Sequence, residues 1–146
     1  MTTTSKIVEE FKLITGNKYV ITSKWGKEPF NKGWRYGGGD AVAVIKPGTL
    51  LEIWKVLQIC VKHDIIVIMQ AANTGLTGGS TPFGNDYDRP IVIINTLRVN
   101  SIQLINNGNQ ILALSGSSLY DLENKLKPLE KEPHSVIGST SIGASI

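Results

Sequence analysis

The residues whose types and spacing most directly suggest chemistry are those of 71–80, AANTGLTGGS. Small side chains let a ligand reach backbone N–H groups, and Asn or Gly can adopt the left-handed conformations that turn consecutive N–H groups into an anion-binding nest. Thr74, Thr77, Ser80 and Thr81 add hydroxyl donors, while the loop holds neither lysine nor acid; Asp86 and Asp88 follow downstream. The chemistry implied is neutral backbone cradling of a diphosphate. The alternative is a glycine-rich surface loop without a ligand. A second segment, residues 133–145, offers Gly138, Ser139, Thr140, Ser141, Gly143 and Ser145. The two segments together could clamp one pyrophosphate, or the second could simply connect a strand to a helix that its serines cap. Neither a GxxxxGK[ST] loop nor a GxGxxG pattern occurs at the glycine clusters 37–39, 75–79 and 138–143, which argues against a triphosphate P-loop and ordinary dinucleotide binding of the Rossmann type.

Other chemistry finds less support. Cys60 is the single cysteine, so an internal disulfide is impossible; its place in an apolar pattern reads as core in a reducing compartment. His63 and His134 are far apart and lack ligand spacing, so no metal site is expected. Asp86 and Asp88, beside Asn85, Tyr87 and Arg89, read as a turn with local ion pairs. Trp25, Trp34 and Tyr36 with Lys24, Lys27, Lys32 and Arg35 have the ingredients of a single-stranded nucleic-acid site, but aromatics pinning a long connection to the core are the simpler reading. No nucleic-acid partner is expected.

The elements that must position these loops follow from pattern. Thr4 or Ser5 can cap a helix burying Ile7, Val8, Phe11 and Ile14, with Gly16 as its left-handed stop. Residues 22–39 show no period and read as an irregular connection. Residues 41–45 form a strand, and Thr49 with Glu52 makes a capping box for a helix bearing Leu50, Ile53, Trp54, Leu57 and Cys60 or Val61 on its inner face. That helix ends at His63 and Asp64. Residues 65–69 form a second apolar strand, so 41–69 reads as a βαβ crossover whose strands pair in parallel, with any ligand beyond their carboxyl ends. Residues 91–94, 102–105 and 111–114 continue as strands of a mixed sheet, with Asn107-Gly108 turning a hairpin. Gly116-Ser117-Ser118 caps a helix through Leu119, Leu122 and Leu126, which Pro128 stops.

The 146 residues, 41% hydrophobic and 18% charged with a net charge of +3, suit one folded domain and exclude disordered and low-complexity classes. No run approaches the roughly 18 apolar residues of a spanning helix, and the N-terminus lacks a secretory signal pattern. The expectation is a chain that is neither secreted nor integral to a membrane. The last residues, GSTSIGASI, stop in apolar sequence, which reads as a fragment of something longer.

The segments QAANTGLTGGSTPFGNDYDRPIVIINTLR and KPLEKEPHSVIGSTSIGAS closely resemble the flavin-dependent, quinone-reducing D-lactate dehydrogenases of bacteria, and the likeness covers nearly the whole chain. These belong to the FAD-binding superfamily of the p-cresol methylhydroxylase and vanillyl-alcohol oxidase type, whose loop usually reads RGGGTGLSGG. Here Gln70, Ala71, Ala72 and Asn73 replace the Arg and three glycines, as in the D-lactate dehydrogenase branch, and Thr74 stands where covalent relatives carry histidine. The resemblance implies an α+β fold, with a βαβ unit followed by a mixed sheet and flanking helices. Residues 1–146 would be the N-terminal portion of a two-subdomain FAD-binding domain. It implies FAD held non-covalently against Ala71, Ala72, Asn73, Thr74, Gly75, Gly79 and Ser80, with Gly138 and Ser145 in the second contact segment. It also implies D-lactate and quinone as reaction partners. The catalytic residues, the cap and the membrane-contacting surface would then lie beyond Ile146, and the enzyme would sit peripherally on the cytoplasmic side of the inner membrane. A non-enzymatic diphosphate-binding module built on the same loops is the alternative.

Overall fold

A computed structural model describes residues 3–133. Its centre is a four-stranded sheet of β1 (Val20–Ile21), β3 (Ala43–Ile45), β6 (Ile91–Asn95) and β4 (Ile66–Gln70), in that spatial order. β1 runs antiparallel to β3, while β3, β6 and β4 run parallel. The sheet is therefore mixed and the class α+β, as expected. The expected direct pairing of the two crossover strands is corrected, because β6 lies between β3 and β4. All five residues of β6 are buried. An IVII run that is apolar on both faces is most stable with a strand on each side, so it takes the centre and the earlier strands flank it.

Alternation divides this sheet between two layers. Ala43, Ile45, Val92 and Ile94 pack with Ile7, Val8 and Phe11 of α1 (Thr3–Thr15) and with Val56 and Cys60 of α3 (Leu50–Lys62). Ala41, Val44 and Ile93 point the other way, against Ile21, Phe30 and Ile68. Removing the Ile94 side chain beyond Cβ leaves a hole in the fully buried central strand. Ile94→Ala is expected to lower unfolding free energy by about 2–5 kcal/mol, read from the urea midpoint of the full protein. A shift under roughly 1 kcal/mol would show that the neighbours collapse into the space.

Local signals set the helix ends. Gly16 follows α1 at φ +90, its N–H bonded to Lys12 O at 2.9 Å. The helix already includes Thr4 and Ser5, so neither is its cap. The capping box forms: Glu52 N donates to Thr49 Oγ1 at 3.1 Å, and Glu52 Oε2 accepts from Gly48 N at 2.7 Å. The buried face of α3 differs from the expected one. Val56 and Cys60 are buried, with Leu57 and Ile59 beside them, whereas Leu50, Trp54 and Val61 are exposed. α3 is amphipathic in composition on more than one face, and the crossover onto the sheet together with α1 decides which face turns inward. Burial pushes the Cys60 thiol up to about 11, the inert state of a core cysteine.

The second half departs from the single expected sheet. β7 (Ile102–Ile105) and β8 (Gln110–Ala113) form a separate antiparallel hairpin, turned through Asn106, Asn107 and Gly108, all at positive φ. Its apolar residues Ile102, Leu104, Ile111 and Ala113 meet Leu122 and Leu126 of α4 (Leu119–Leu126), and so find their cover outside the main sheet. Ser118 caps α4, accepting from Asp121 N at 3.1 Å.

Candidate functional site: a glycine cradle at the carboxyl ends of the strands

Residues 22–39 are more ordered than their sequence suggests. Ser23 accepts from Gly26 N at 3.2 Å and starts α2 (Lys24–Asn31). Gly26 and Pro29 conceal this helix in the sequence, and its one fully buried residue is a lysine, so no apolar stripe marks it. Lys27, 6% exposed, donates to Asp40 Oδ1 at 2.8 Å and also to Ala41 O. The Lys27 hydrogen bond holds the Asp40 carboxyl below its ordinary range. Asn31 completes the tie, donating to Asp40 Oδ1 at 2.9 Å and accepting from Ala41 N at 3.1 Å. These bonds fasten α2 to the segment leading into β3, beside the apolar contact that Phe30 makes with Ala41, Val44 and Ile93.

After α2 the chain turns back, Gly33 N donating to Gly37 O at 3.1 Å, and β2 (Gly38–Gly39) pairs in parallel with β5 (Phe83–Gly84). The expectation that the aromatics here pin the connection to the core is corrected. Trp25 is 84% and Trp34 79% exposed, and Tyr36 is exposed as well. The polar anchor at Lys27 removes the need for them as packing. Trp25 and Trp34 instead line, with Pro29, Lys32, Ala72 and Asn73, a cleft of about 500 Å³.

That cleft borders the loop of residues 71–80, which leaves the carboxyl end of β4 beside the carboxyl ends of β3 and β6. Ligands collect at this edge of a parallel sheet. Asn73 sits at φ +55, its Nδ2 donating to Lys32 O at 2.9 Å and its Oδ1 accepting from Ser80 Oγ at 2.8 Å. Gly78 is at φ +75 and its carbonyl accepts from Thr81 N at 3.3 Å and Thr81 Oγ1 at 3.2 Å. A Cβ on Gly78 would lie 3.1 Å from the carbonyl carbon and oxygen of Tyr36, so this glycine is required by packing.

Gly75 and Gly79 are of a different kind. Among the described residues, a Cβ on Gly75 meets nothing within 4 Å, and one on Gly79 meets only Thr77 Oγ1, at 4.0 Å. Neither has a positive φ. Protein geometry therefore permits a side chain at both places, and the open space beside them is a cradle that a Cβ would fill. Among the described residues the backbone N–H groups of 73–79 donate no hydrogen bond within the protein. Open space together with unengaged donors fits the diphosphate of a dinucleotide cofactor.

Ala71, Ala72, Asn73, Thr74, Gly75, Gly79 and Ser80 are thus brought together in one loop. The side chains of Asn73 and Ser80 bond each other and so shape the loop. Gly138, Ser145 and His134 lie outside the described residues. Two residues that sequence reasoning did not assign to the site are Gln70 and Asn95, which end β4 and β6 and are register partners. The available signal is one polar residue closing each of two apolar runs, IVIMQ and IVIIN.

The remaining candidates are tied elsewhere. His63 Nε2 lies 2.9 Å from Glu10 Oε1, whose carboxyl is held low chiefly by its bond from Lys62. Arg89 joins Asp64 at 2.7 Å and Asp88 at 3.2 Å, the local pairing expected of that turn with one longer link. Among the described residues no cluster of three His, Cys, Asp or Glu side chains could hold a metal ion.

No family model matches the chain. It is similar to curated quinone-dependent D-lactate dehydrogenases: 60% identical to that of Haemophilus influenzae over 133 residues, covering 91% of this chain and 24% of that protein. With that of Escherichia coli it is 53% identical over 148 residues, covering 100% of this chain and 26% of the other. The chain therefore spans about a quarter of the length of the curated relatives it matches. Among solved structures, alkyldihydroxyacetonephosphate synthase superposes with a TM-score of 0.75 at 16% identity, over 86% of this chain and 25% of that one. p-Cresol methylhydroxylase with substrate bound superposes at 0.67 and 20% identity, over 86% and 25%. The fold is that of the corresponding quarter of these proteins.

Proposed function

We propose that this chain is the diphosphate-holding part of a flavoprotein that oxidises D-lactate to pyruvate and passes the two electrons to a membrane quinone. The observation that carries the reading is the open cradle at Gly75 and Gly79, with N–H groups over 73–79 that no described residue engages, in a chain 60% identical over 133 residues to a quinone-dependent D-lactate dehydrogenase. FAD, bound there without a covalent link, supplies the electron-accepting chemistry. The part played by these residues is to bind and orient. The N–H groups of 73–79 neutralise diphosphate oxygens without lysine, Asn73 and Ser80 hold the loop in shape, and Thr74 offers a hydroxyl. Gly138 and Ser145 supply the second set of contacts, as the resemblance implies.

In this reading the groups that take the substrate's protons belong to the remaining three quarters of the relatives' length. Association with the cytoplasmic face of a membrane is likewise part of the proposal. Among the described residues no helix is long and apolar enough to cross a bilayer.

The test is the visible spectrum of the full-length protein, recorded anaerobically with D-lactate and, separately, with L-lactate. Bleaching of a flavin band by D-lactate alone is the expected result. A flavin that neither lactate bleaches would move the substrate elsewhere, and protein devoid of flavin would overturn the cofactor reading.

A further inference from the structure

We propose that Gln70 and Asn95 form a paired amide clamp that fixes the span of the cofactor cradle, which makes them positioning residues for the flavin. This rests on the flavin reading above. The two side chains are 3% and 1% exposed, and their residues face each other at the carboxyl ends of β4 and β6. Gln70 Nε2 donates to Ser80 O at 2.8 Å and to Phe30 O at 2.9 Å. Gln70 Oε1 accepts from Asn95 Nδ2 at 3.4 Å, and that same Nδ2 donates to Ala71 O at 3.0 Å. Asn95 Oδ1 accepts from Leu97 N at 3.4 Å.

Every amide hydrogen of the pair is engaged, and the partners settle which end of each amide is nitrogen, since three of them are carbonyl oxygens that require donors. The consequence is geometric. Ala71 O stands at the entry of the loop and Ser80 O at its exit, so one buried pair holds both ends of the cradle. Phe30 O, near the end of α2, binds the same amide, and the cleft wall is tied to the same point. Other side-chain ties of the loop among the described residues include the Asn73 and Ser80 pair, the Asn73 bond to Lys32 O and the Thr81 bond to Gly78. N–H groups that must converge on one anion depend on that span, because donors held in place cost no reordering when the ligand arrives.

The experiment uses Gln70→Leu and Gln70→Glu in the full-length protein, with FAD titrated into deflavinated samples at pH 6 and pH 8. Gln70→Leu removes both donors at nearly constant volume and is expected to weaken FAD binding roughly tenfold or more at both pH values. Gln70→Glu keeps the shape. Burial beside carbonyl oxygens raises the introduced carboxyl's pKa, so its protonated form, present at the lower pH, restores one donor. FAD binding by this variant is expected to be weak at pH 8 and to recover severalfold at pH 6, whereas the wild type stays level.

The charged groups on the elements packed around position 70 are Lys24, Lys27 (paired with Asp40) and Glu28 of α2, Lys32 just after it, and Lys46 over the Phe30 ring; the cradle residues 71–80 and β6 carry none. A Gln70→Glu protein that binds like wild type at both pH values, or whose loss is equal at both, overturns the clamp. It decides the matter even where Gln70→Leu does not fold. A wild type that takes up no FAD overturns the cofactor reading and the clamp together.

Discussion

Gly75→Val in the full-length protein is expected to fold as the wild type does and to lose its flavin. The substituted side chain enters space that no atom of the described residues occupies within 4 Å, at a residue without a positive φ, so the cost to stability is that of a surface substitution, within about 0.5 kcal/mol. The same methyl groups stand where a diphosphate must meet backbone N–H. Loss of two charge-assisted hydrogen bonds, at about 1.5–3 kcal/mol each, corresponds to roughly a hundredfold or more in Kd. Flavin absorbance per folded protein, with circular dichroism as the control for folding, gives the answer. Full flavin content in a folded variant would remove the cradle from the cofactor site.

Gly78→Val, three residues on, is expected to damage both properties. Gly78 holds φ +75, a conformation that costs a non-glycine residue about 1–3 kcal/mol, and its Cβ would lie 3.1 Å from the Tyr36 carbonyl and 3.2 Å from Gly37 N. The space cannot open easily. Gly37 is itself at φ +89, and a Cβ there would fall 2.0 Å from Thr81 Oγ1, so the turn at 33–37 and the loop at 78–81 interlock through glycine on both sides. The variant should show a lowered urea midpoint together with lost flavin. A variant as stable as Gly75→Val would mean that this interlock contributes nothing to holding the loop. The pair of substitutions thus separates a glycine that serves a ligand from one that serves the scaffold, a distinction that the string TGLTGGS does not contain.

Much of the local structure was legible because its causes are local. Thr49 and Glu52 lie three residues apart and cap α3 through their own bonds; Ser118 does the same for α4. Asn107 and Gly108 turn the hairpin because they tolerate positive φ. The composition of 71–80, small residues with hydroxyls and neither lysine nor acid, is what suggests a diphosphate, with a ligand-free surface loop as the alternative. The left-handed Asn73 of that loop follows from a side chain suited to that conformation. In each case residues within a few positions of one another supply the whole physical reason.

What escaped the sequence depends on residues far apart in it. α2 is held by Phe30 on the second core layer and by Lys27 reaching Asp40 and Ala41, so an apolar contact and a polar tie stand where an apolar stripe would mark a helix. Leu50, Trp54 and Val61 are as hydrophobic as Val56 and Cys60, and only the crossover between β3 and β4, with α1 laid alongside, chooses the buried face of α3. β6 enters between two strands that precede it by more than twenty residues. That insertion also places Asn95 opposite Gln70, and so creates the clamp beneath the cradle. The sequence by itself determined the strands, the caps and turns, and the composition of a loop fit for a diphosphate, because these rest on backbone preference and short-range hydrogen bonds. The tertiary structure alone decided strand order, helix facing and the span of the cradle, because burial and the satisfaction of buried polar groups are settled between whichever elements the fold brings together.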